Sequence, residues 1–481
     1  MKVDRRTFTK SVVGAAGALA AGAWLLENRP TWTRMPVALA QAASRLSPTK
    51  VTRIRVFFPP NWDRNGAQAL PQSNMVVLVD TEAGITGVGQ GGSPDTVRNV
   101  SRSVIGKNAF DTEMIWQSAF MDAHYSPGDE RLHALGAIDL ALWDIKGKAL
   151  GVPLYQLFGG KAREHIELYA TNGLPQGVVP QEEAQRMGLK ERAAATMAAG
   201  WRVYRVDSGI LPSTGNTGGG TRAGGAGGAR GAAPAPAGRA GGAGGAGGGG
   251  GRGGGQGGSL FNTRARIPQI IKALEQIREG VGPEGDFMID LHQKFDFHEA
   301  VEACRLTEPL RPYAVEDPLR EEQFRTQLPK LRLLTSVPIS AGEEWGMRAD
   351  FSPLVEQRDL DFVRVSLPNV GGITEMLKIL AMCDTHKVGL MPHFTAPIGT
   401  AGHMHTLMAF PGQALMEYNR GPQPLPYLPE FLELRNGKVW PNDRPGLGVT
   451  VDEKTLTFVE EMTQGFPGPT HRRPDGSLTH W

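Results

Sequence analysis

Three acidic residues, Asp290, Glu316 and Glu343, each close a short apolar run, and each lies about one βα unit after the last. The runs read FMID, YAVE and VPISAGE. Two histidines share the pattern, His292 in D-L-H and His393 in VGLMPH. Neighbouring strand ends lie ~4.8 Å apart, so carboxylates delivered from three of them can converge on one cation. All-oxygen donors suit Mg2+ or Mn2+ rather than zinc. An acid at a βα junction can also cap a helix, which accounts well for any single one of them but poorly for three in register. His292 follows Asp290 by two residues, so on an extended strand both face the same way. One imidazole could then abstract a proton and the other donate one. A hard cation beside such groups favours removal of a proton α to a carboxylate, because it neutralises the carboxylate and stabilises the charge that develops.

The same series offers further groups. Arg205 and Asp207 end WRVYRVD with one parity, leaving Tyr204 and Val206 on the other face. An inward Arg205 is suited to a carboxylate or sugar hydroxyl, although an Arg205–Asp207 structural pair is an equal alternative. Glu417 ends ALME and could orient His393 or a substrate hydroxyl. Ser366 ends FVRVS. Glu344 competes with Glu343, since alternation lets only one of them face inward. His298, His386, His403 and His405 read as ordinary core or surface histidines.

Elements with two different periods must position these groups. Residues 50–90 read as strands: Thr52–Phe58, Met75–Asp80 and, after a Glu82-Ala83-Gly84 turn, Ile85–Gly89. Helical spacing fills 95–150, clearest in LHALGAIDLALWDIKGKAL, and Gly151-Val152-Pro153 stops it. Residues 48–160 therefore form a small α+β domain. From Ile166 to about Asn419 the pattern becomes successive βα units, with a helix expected across Gln181–Ala199. Parallel strands of such units carry chemistry at their C-terminal ends. A Gly/Ala/Arg-rich stretch at 214–259 cannot fill a core and reads as a disordered insertion following the second strand. Residues 421–481 form a Pro- and Gly-rich tail whose 443–453 segment looks packed.

The 481 residues carry a formal charge of +2 with scattered basic groups, which gives no nucleic-acid footprint. The two cysteines, Cys304 and Cys383, sit in apolar helical stretches and read as core residues. At the N-terminus, Arg5–Arg6 in D-R-R-T-F-T-K precede a Gly/Ala-rich apolar run and Ala38-Leu39-Ala40. These features resemble a twin-arginine signal peptide over residues 1–40. They imply passage through the twin-arginine machinery, cleavage near Gln41 and a periplasmic or secreted protein with no stable membrane association.

The segments AIDLALWDIKGKALGVPLYQLFGG (137–160), D-L-H, V-E-D-P (315–318), A-G-E (341–343), N-V-G-G-I-T-E (369–375) and P-G-L-G-V (445–449) resemble one known group. It is the mandelate racemase/muconate lactonizing branch of the enolase superfamily. The resemblance implies an α/β fold: a (β/α)7β TIM-like barrel over 161–420 under an N-terminal α+β capping domain, which 421–481 completes. It implies Mg2+ (or Mn2+) on Asp290, Glu316 and Glu343, and an even-numbered homo-oligomer. D-x-H on the third strand and R-V-D-S-G after the second are similar to the acid-sugar dehydratases of mannonate and galactonate type. In those, the residue matching His292 is the general acid. The K-x-K of the branch's racemases is absent, and M-E-Y (416–418) also fits the dehydratases. Two departures stand out. Ser366 holds the place of an Asp that pairs with the seventh-strand His, and residues 210–259 contain no Tyr of the mannonate type.

The expected protein is an exported Mg2+-dependent sugar-acid dehydratase that makes a 2-keto-3-deoxy acid. His393 acts as base and His292 as acid, and Arg205 takes part in catalysis and in binding the sugar acid. Asp207, Glu417 and Trp62 of the FFPPNWDRNG segment help hold the substrate. The alternatives are an epimerase or racemase at the α-carbon, using Asp207 and His393 as opposed bases, and a catalytically decayed carbohydrate-binding protein.

Overall fold

The computed structural model describes residues 47–60, 75–122, 128–171, 173–208, 262–320, 325–418, 425–466 and 471–479. The signal-like segment, Trp62 and the 214–259 stretch lie outside them. The chain divides into Met1–Pro48 and one compact unit, Thr49–Trp481, which holds every element described below.

Three strands rich in β-branched residues open that unit: β1 (Val51–Phe58), β2 (Val76–Thr81) and β3 (Thr86–Gln90). They pair antiparallel, and β14 (Thr457–Met462) from the tail adds to the free side of β1. Helices α1 (Pro94–Ser101), α2 (Thr112–Met121) and α3 (Gly128–Leu150) follow. The apolar positions read from the sequence, Leu135, Ile138, Leu142 and Ile145, are buried with Val77 and Val79 of the sheet. A short α4 (Leu154–Leu157) leads to the barrel.

Eight parallel strands then close on themselves. They are β4 (Ile166–Ala170), β5 (Val203–Asp207), β6 (Asp286–Asp290), β7 (Ala314–Glu316), β8 (Ile339–Ala341), β9 (Phe362–Val363), β10 (Gly389–Leu390) and β11 (Met416–Tyr418). Each pairs with the next in order through β10. Leu390 bridges Ala414, and β11 pairs with β4, which closes the ring. Helices α5 (Gln181–Arg186) and α6 (Leu189–Ala198) follow β4, and α7 (Thr263–Val281) follows β5. Next come α8 (Phe297–Thr307), α9 (Leu328–Arg332), α10 (Arg348–Glu356), α11 (Ile373–His386) and α12 (Pro397–Ala409), one per remaining gap. The arrangement is the expected (β/α)7β barrel. One helix expected across 181–199 is two, because the chain breaks at Gly188, whose N–H donates to Glu191 Oε2 at 2.5 Å and starts α6 afresh.

Alternation along the strands sorts the barrel into layers. Tyr169, Val203, Met288, Ala314, Phe362, Met391 and Leu415 form an inner apolar plug. Tyr204, Val206, Phe287, Ile289, Val315, Ile339 and Val363 face outward and pack under the helices. Two residues beyond each plug residue, toward the C-terminal ends, stand Thr171, Arg205, Asp290, Glu316, Arg364, His393 and Glu417. The plug thus forms the floor of a charged layer. The tail supplies the hairpin β12 (Glu433–Arg435) and β13 (Lys438–Trp440), which joins β4 antiparallel, and a small hairpin of β15 (His471–Arg472) and β16 (Leu478–Thr479). Among the described residues, no helix is long and apolar enough to cross a membrane.

Candidate active site

The charged layer begins as a row. Asp207, Asp290, Glu316 and Ser340 are direct neighbours across β5, β6, β7 and β8. Asp290 and Glu316 are fully buried, and with Asp317 each offers an oxygen within 4.8 Å of the others. Asp207, Asp290 and His292 form a second such group. Burial, and the Glu316 carboxylate beside it, push the Asp290 acid well above its usual range even though Arg205 opposes this.

Two guanidiniums tie the carboxylates together. Arg205 Nη2 donates to Asp290 Oδ2 at 2.6 Å and to Glu316 Oε1 at 2.7 Å, while Nη1 donates to the Thr171 carbonyl. The side chain expected to hold a substrate carboxylate is therefore occupied by carboxylates of the protein. Arg364, which the sequence reading passed over, has no exposed surface. Its Nη2 donates to Glu343 Oε2 at 2.8 Å and Glu417 Oε2 at 3.1 Å. Its Nη1 lies 3.1 Å from Glu316 Oε2 and donates to the Tyr169 hydroxyl. A visible signal was its parity: Phe362, Arg364 and Ser366 share a face, so an inward Ser366 required an inward Arg364. Burial would lower both guanidiniums, but the surrounding carboxylates raise them well above the ordinary arginine range.

Glu343 reaches the layer by a turn rather than by strand alternation. Ser340 faces inward, so strict alternation would send Glu343 out. Gly342 has φ of 116°, and a Cβ there would come within 2.9 Å of Phe351. That glycine-only conformation turns Glu343 inward to Arg364. Burial works against the Glu343 charge, yet His393 and Arg364 hold the acid down to about 2. His393 Nε2 lies 3.7 Å from Glu343 Oε2, and the Glu343 carbonyl accepts from Asn369 Nδ2 at 2.6 Å. Glu417 Oε2 accepts from the Phe394 N–H at 2.9 Å, fixing the loop that carries His393. Burial opposes the Glu417 charge too, but Arg364 and Arg205 keep the acid well below the usual range.

His292 also departs from simple alternation, because it lies past the end of β6 with φ of 50°. Its Nδ1 is 2.9 Å from Asp207 Oδ2 and 3.7 Å from Asp290 Oδ2. The hydrogen bond with Asp207 raises its pKa to about 8 against the effect of burial. Lys294 Nζ lies 3.5 Å from the other Asp207 oxygen. His403 and His405 are core histidines, as read from the sequence. His403 Nε2 accepts from the Leu367 N–H at 3.1 Å and His405 Nδ1 from the Tyr155 N–H at 3.3 Å, inside the core. Cys304 and Cys383 are free and buried.

The donor set suits a hard divalent cation. Asp290 and Glu316 already converge on one positive group, the Arg205 Nη2, and the buried Glu316 Oε2 forms an ion pair with Arg364 Nη1 at 3.1 Å but no hydrogen bond. A cation between the two carboxylates would also relieve the repulsion that raises Asp290. Among the described residues Glu343 is not in either close group of possible ligands, although it shares Arg364 with Glu316. A cleft of about 730 Å³ at the opposite end of the barrel, lined by Tyr313, Leu360, Phe362 and Val388 among others, contains none of these groups.

A family model described as the mandelate racemase/muconate lactonizing enzyme N-terminal domain matches residues 61–159. A second, the enolase C-terminal domain-like model, matches residues 251–455. The chain belongs to the mandelate racemase/muconate lactonizing branch of the enolase superfamily. Among its relatives, a D-galactonate dehydratase of Pectobacterium atrosepticum is 28% identical, with 90% of this chain and 99% of the relative covered. One of Ralstonia pickettii is likewise 28% identical, over 90% of this chain and 100% of that protein. A solved enolase superfamily member from Salmonella Typhimurium superposes with a TM-score of 0.66 at 24% identity, over 86% of this chain and 100% of that one, and shares the fold.

Proposed function

We propose that this enzyme is an exported, Mg2+-dependent dehydratase of a sugar acid that forms a 2-keto-3-deoxy acid. It is a hydro-lyase of the enolase superfamily. One observation supports the finer reading most. His292 and His393 stand at the C-terminal ends of strands four apart, and so on opposite sides of an eight-stranded ring. Between them lies the carboxylate–guanidinium layer.

In this reading His393 accepts the proton α to the substrate carboxylate. His292 delivers a proton to the β-hydroxyl, which departs as water, and the enol product tautomerises. Glu417 and Asn369 hold the loops on which His393 and Glu343 sit. Asp290, Glu316 and Glu343 would hold the cation, which supplies Lewis acidity toward the substrate carboxylate when bound. Arg205 and Arg364 hold the layer's carboxylates in place, and Arg364 favours the ionised forms of Glu343 and Glu417. Because the relatives are named for D-galactonate, aldonic acids are the first class to test.

Purified protein with Mg2+ and a panel of aldonic and uronic acids should release 2-keto-3-deoxy product from at least one, and EDTA should stop it. No product from any acid would sink the reading. The opposed imidazoles also permit a second reading, epimerisation at the α-carbon. Recovered substrate that is inverted and deuterated in D2O, with no dehydration, would favour it. Export rests on the Arg5–Arg6 segment, and N-terminal sequencing of the periplasmic protein should begin near Gln41. The even-numbered assembly is checked by analytical ultracentrifugation.

A further inference from the structure

Ser366 leaves His393 without the carboxylate of a sixth-strand partner, yet the structure builds a carboxylate–imidazole pair on other strands. Asp207 and Asp290 end β5 and β6 side by side. Past Asp290 the chain turns sharply: His292 and Gln293 both adopt left-handed backbones, with φ of 50° and 59°. Two successive non-glycine residues there are costly and persist only where surrounding bonds impose them. Here the His292 N–H donates to Asp290 Oδ1 at 2.6 Å, and the Gln293 N–H donates to the Asp317 carbonyl at 3.0 Å. The turn brings the imidazole back to β5, where Nδ1 meets Asp207 Oδ2 at 2.9 Å. The Asp207 side chain is 11% exposed and that of His292 is 51% exposed. One end of the ring is anchored in protein while the ring as a whole stays accessible.

We propose that Asp207 is a positioning residue for His292, fixing its Nδ1–H tautomer and aiming Nε2 at the departing β-hydroxyl. Asp207 thereby separates elimination from simple exchange of the α-proton. The inference rests on the dehydratase reading. In the step itself, His393 takes the C2 proton and the C2–H electron pair becomes the C2=C3 π bond. The C3–O bond breaks with its electrons on oxygen, which takes the Nε2 proton of His292 and leaves as water. The Nδ1 proton stays on His292 throughout, held by Asp207, and the next turnover begins when solvent restores the two imidazoles. Orientation of an imidazole by a second carboxylate is a general device for setting which nitrogen does the chemistry.

The test uses the full chain with saturating Mg2+ on an acid that the wild type dehydrates. Asp207→Asn, His292→Asn and the double variant are assayed for dehydration and for C2 exchange in D2O. Each single change should lower the dehydration kcat by about 10²-fold or more, the scale of general acid catalysis, with KM nearly unchanged. C2 exchange should persist in each. The double variant should be no worse than His292→Asn, because Asp207 acts through that ring. Asp207→Glu should recover part of the loss, and Asp207→Ser repeats the test if the Asn variant does not fold. The proposal is overturned if exchange and elimination fall together, if only KM rises, if the two changes multiply, or if excess Mg2+ restores Asp207→Asn. If the wild type dehydrates no acid, the dehydratase reading fails on its own. The pair is then read from 15N shifts of His292 at fixed pH, assigned with His292→Asn. They should report the Nδ1–H tautomer and change in Asp207→Asn, and unchanged shifts would refute the pair.

Discussion

Arg364 and Arg205 make the charge arithmetic of the site. Asp290 and Glu316 face Arg205, and Glu316, Asp317, Glu343 and Glu417 lie within 4.0 Å of Arg364, so carboxylates outnumber guanidiniums, an excess of negative charge that a divalent cation would reduce. Arg364 reaches carboxylates from strands on both sides of its own, with a planar fork that lysine lacks. Arg364→Met should therefore destabilise the protein by about 3–5 kcal/mol, because it leaves buried carboxylates unpaired. Arg364→Lys should recover only part. Urea denaturation checks both, and a loss below about 1 kcal/mol for the Met variant would contradict the buried network described here. Asp290, Glu316 and His393 were legible as inward residues because strand alternation is strictly local. Arg364 was equally legible by parity, because it shares the inner face with Phe362 and Ser366.

At the scale of elements, α3 joins the sheet to the barrel through two buried acids. Asp144 accepts from the N–H groups of Val88 on β3 at 3.0 Å and Leu447 in the tail at 2.8 Å. Asp139 accepts from the N–H and hydroxyl of Thr374, in the first turn of α11, at 2.9 and 2.5 Å. Burial pushes the Asp139 acid up from the usual 3.8 to about 7, against its hydrogen bonds with Thr374. The folded protein thus keeps a proton that the unfolded chain releases. The associated stability is present in full below about pH 4 and is lost as the pH rises to about 7. Asp139→Asn keeps an acceptor for the Thr374 N–H and removes the buried charge. The Asn variant should be more stable than wild type at pH 8, by an amount on the order of a few kcal/mol. The gap should shrink toward pH 4, and parallel melting curves across that range would refute the assignment. The same junction needs Gly372, whose φ is 103° and where a Cβ would lie 2.5 Å from Asp139 Oδ2. Gly372→Ala should cost about 1–3 kcal/mol through backbone strain, read as a lowered melting temperature.

For the whole molecule, a bound cation would be a matter of stability as well as chemistry. A ligand that binds only the folded protein stabilises it by about 2.7 kcal/mol when present at roughly a hundred times its dissociation constant. Saturating Mg2+ should therefore raise the melting temperature of the chelator-treated protein. Glu316→Gln should lose that response while remaining folded, since the glutamine keeps an oxygen for Arg205. A Mg2+-induced rise that survives the substitution would place the cation elsewhere. The assembly of the unit depends on long-range pairings. β14 pairs Ile54 with Met462 and Val56 with Glu460, and β11 returns to β4 to close the ring.

The sequence by itself determined the barrel and its chemical end. Alternating side chains and βα spacing are local properties, and they set Asp290, Glu316, Arg205 and Glu417 on the inner face before any partner is known. The segment 443–453 was likewise readable as packed, because Leu447 and Val449 alternate with glycines. Only the tertiary structure decided what those inner residues hold. The left-handed turns at His292 and Gly342 override alternation, and both depend on contacts from neighbouring strands and helices. The division of Arg205 and Arg364 among the buried carboxylates depends on strand register around a closed ring. The pairing of Asp207 with His292 and the docking of β14 on β1 join residues far apart in the chain. Their energies come from contacts that exist only once the ring and the sheet have closed.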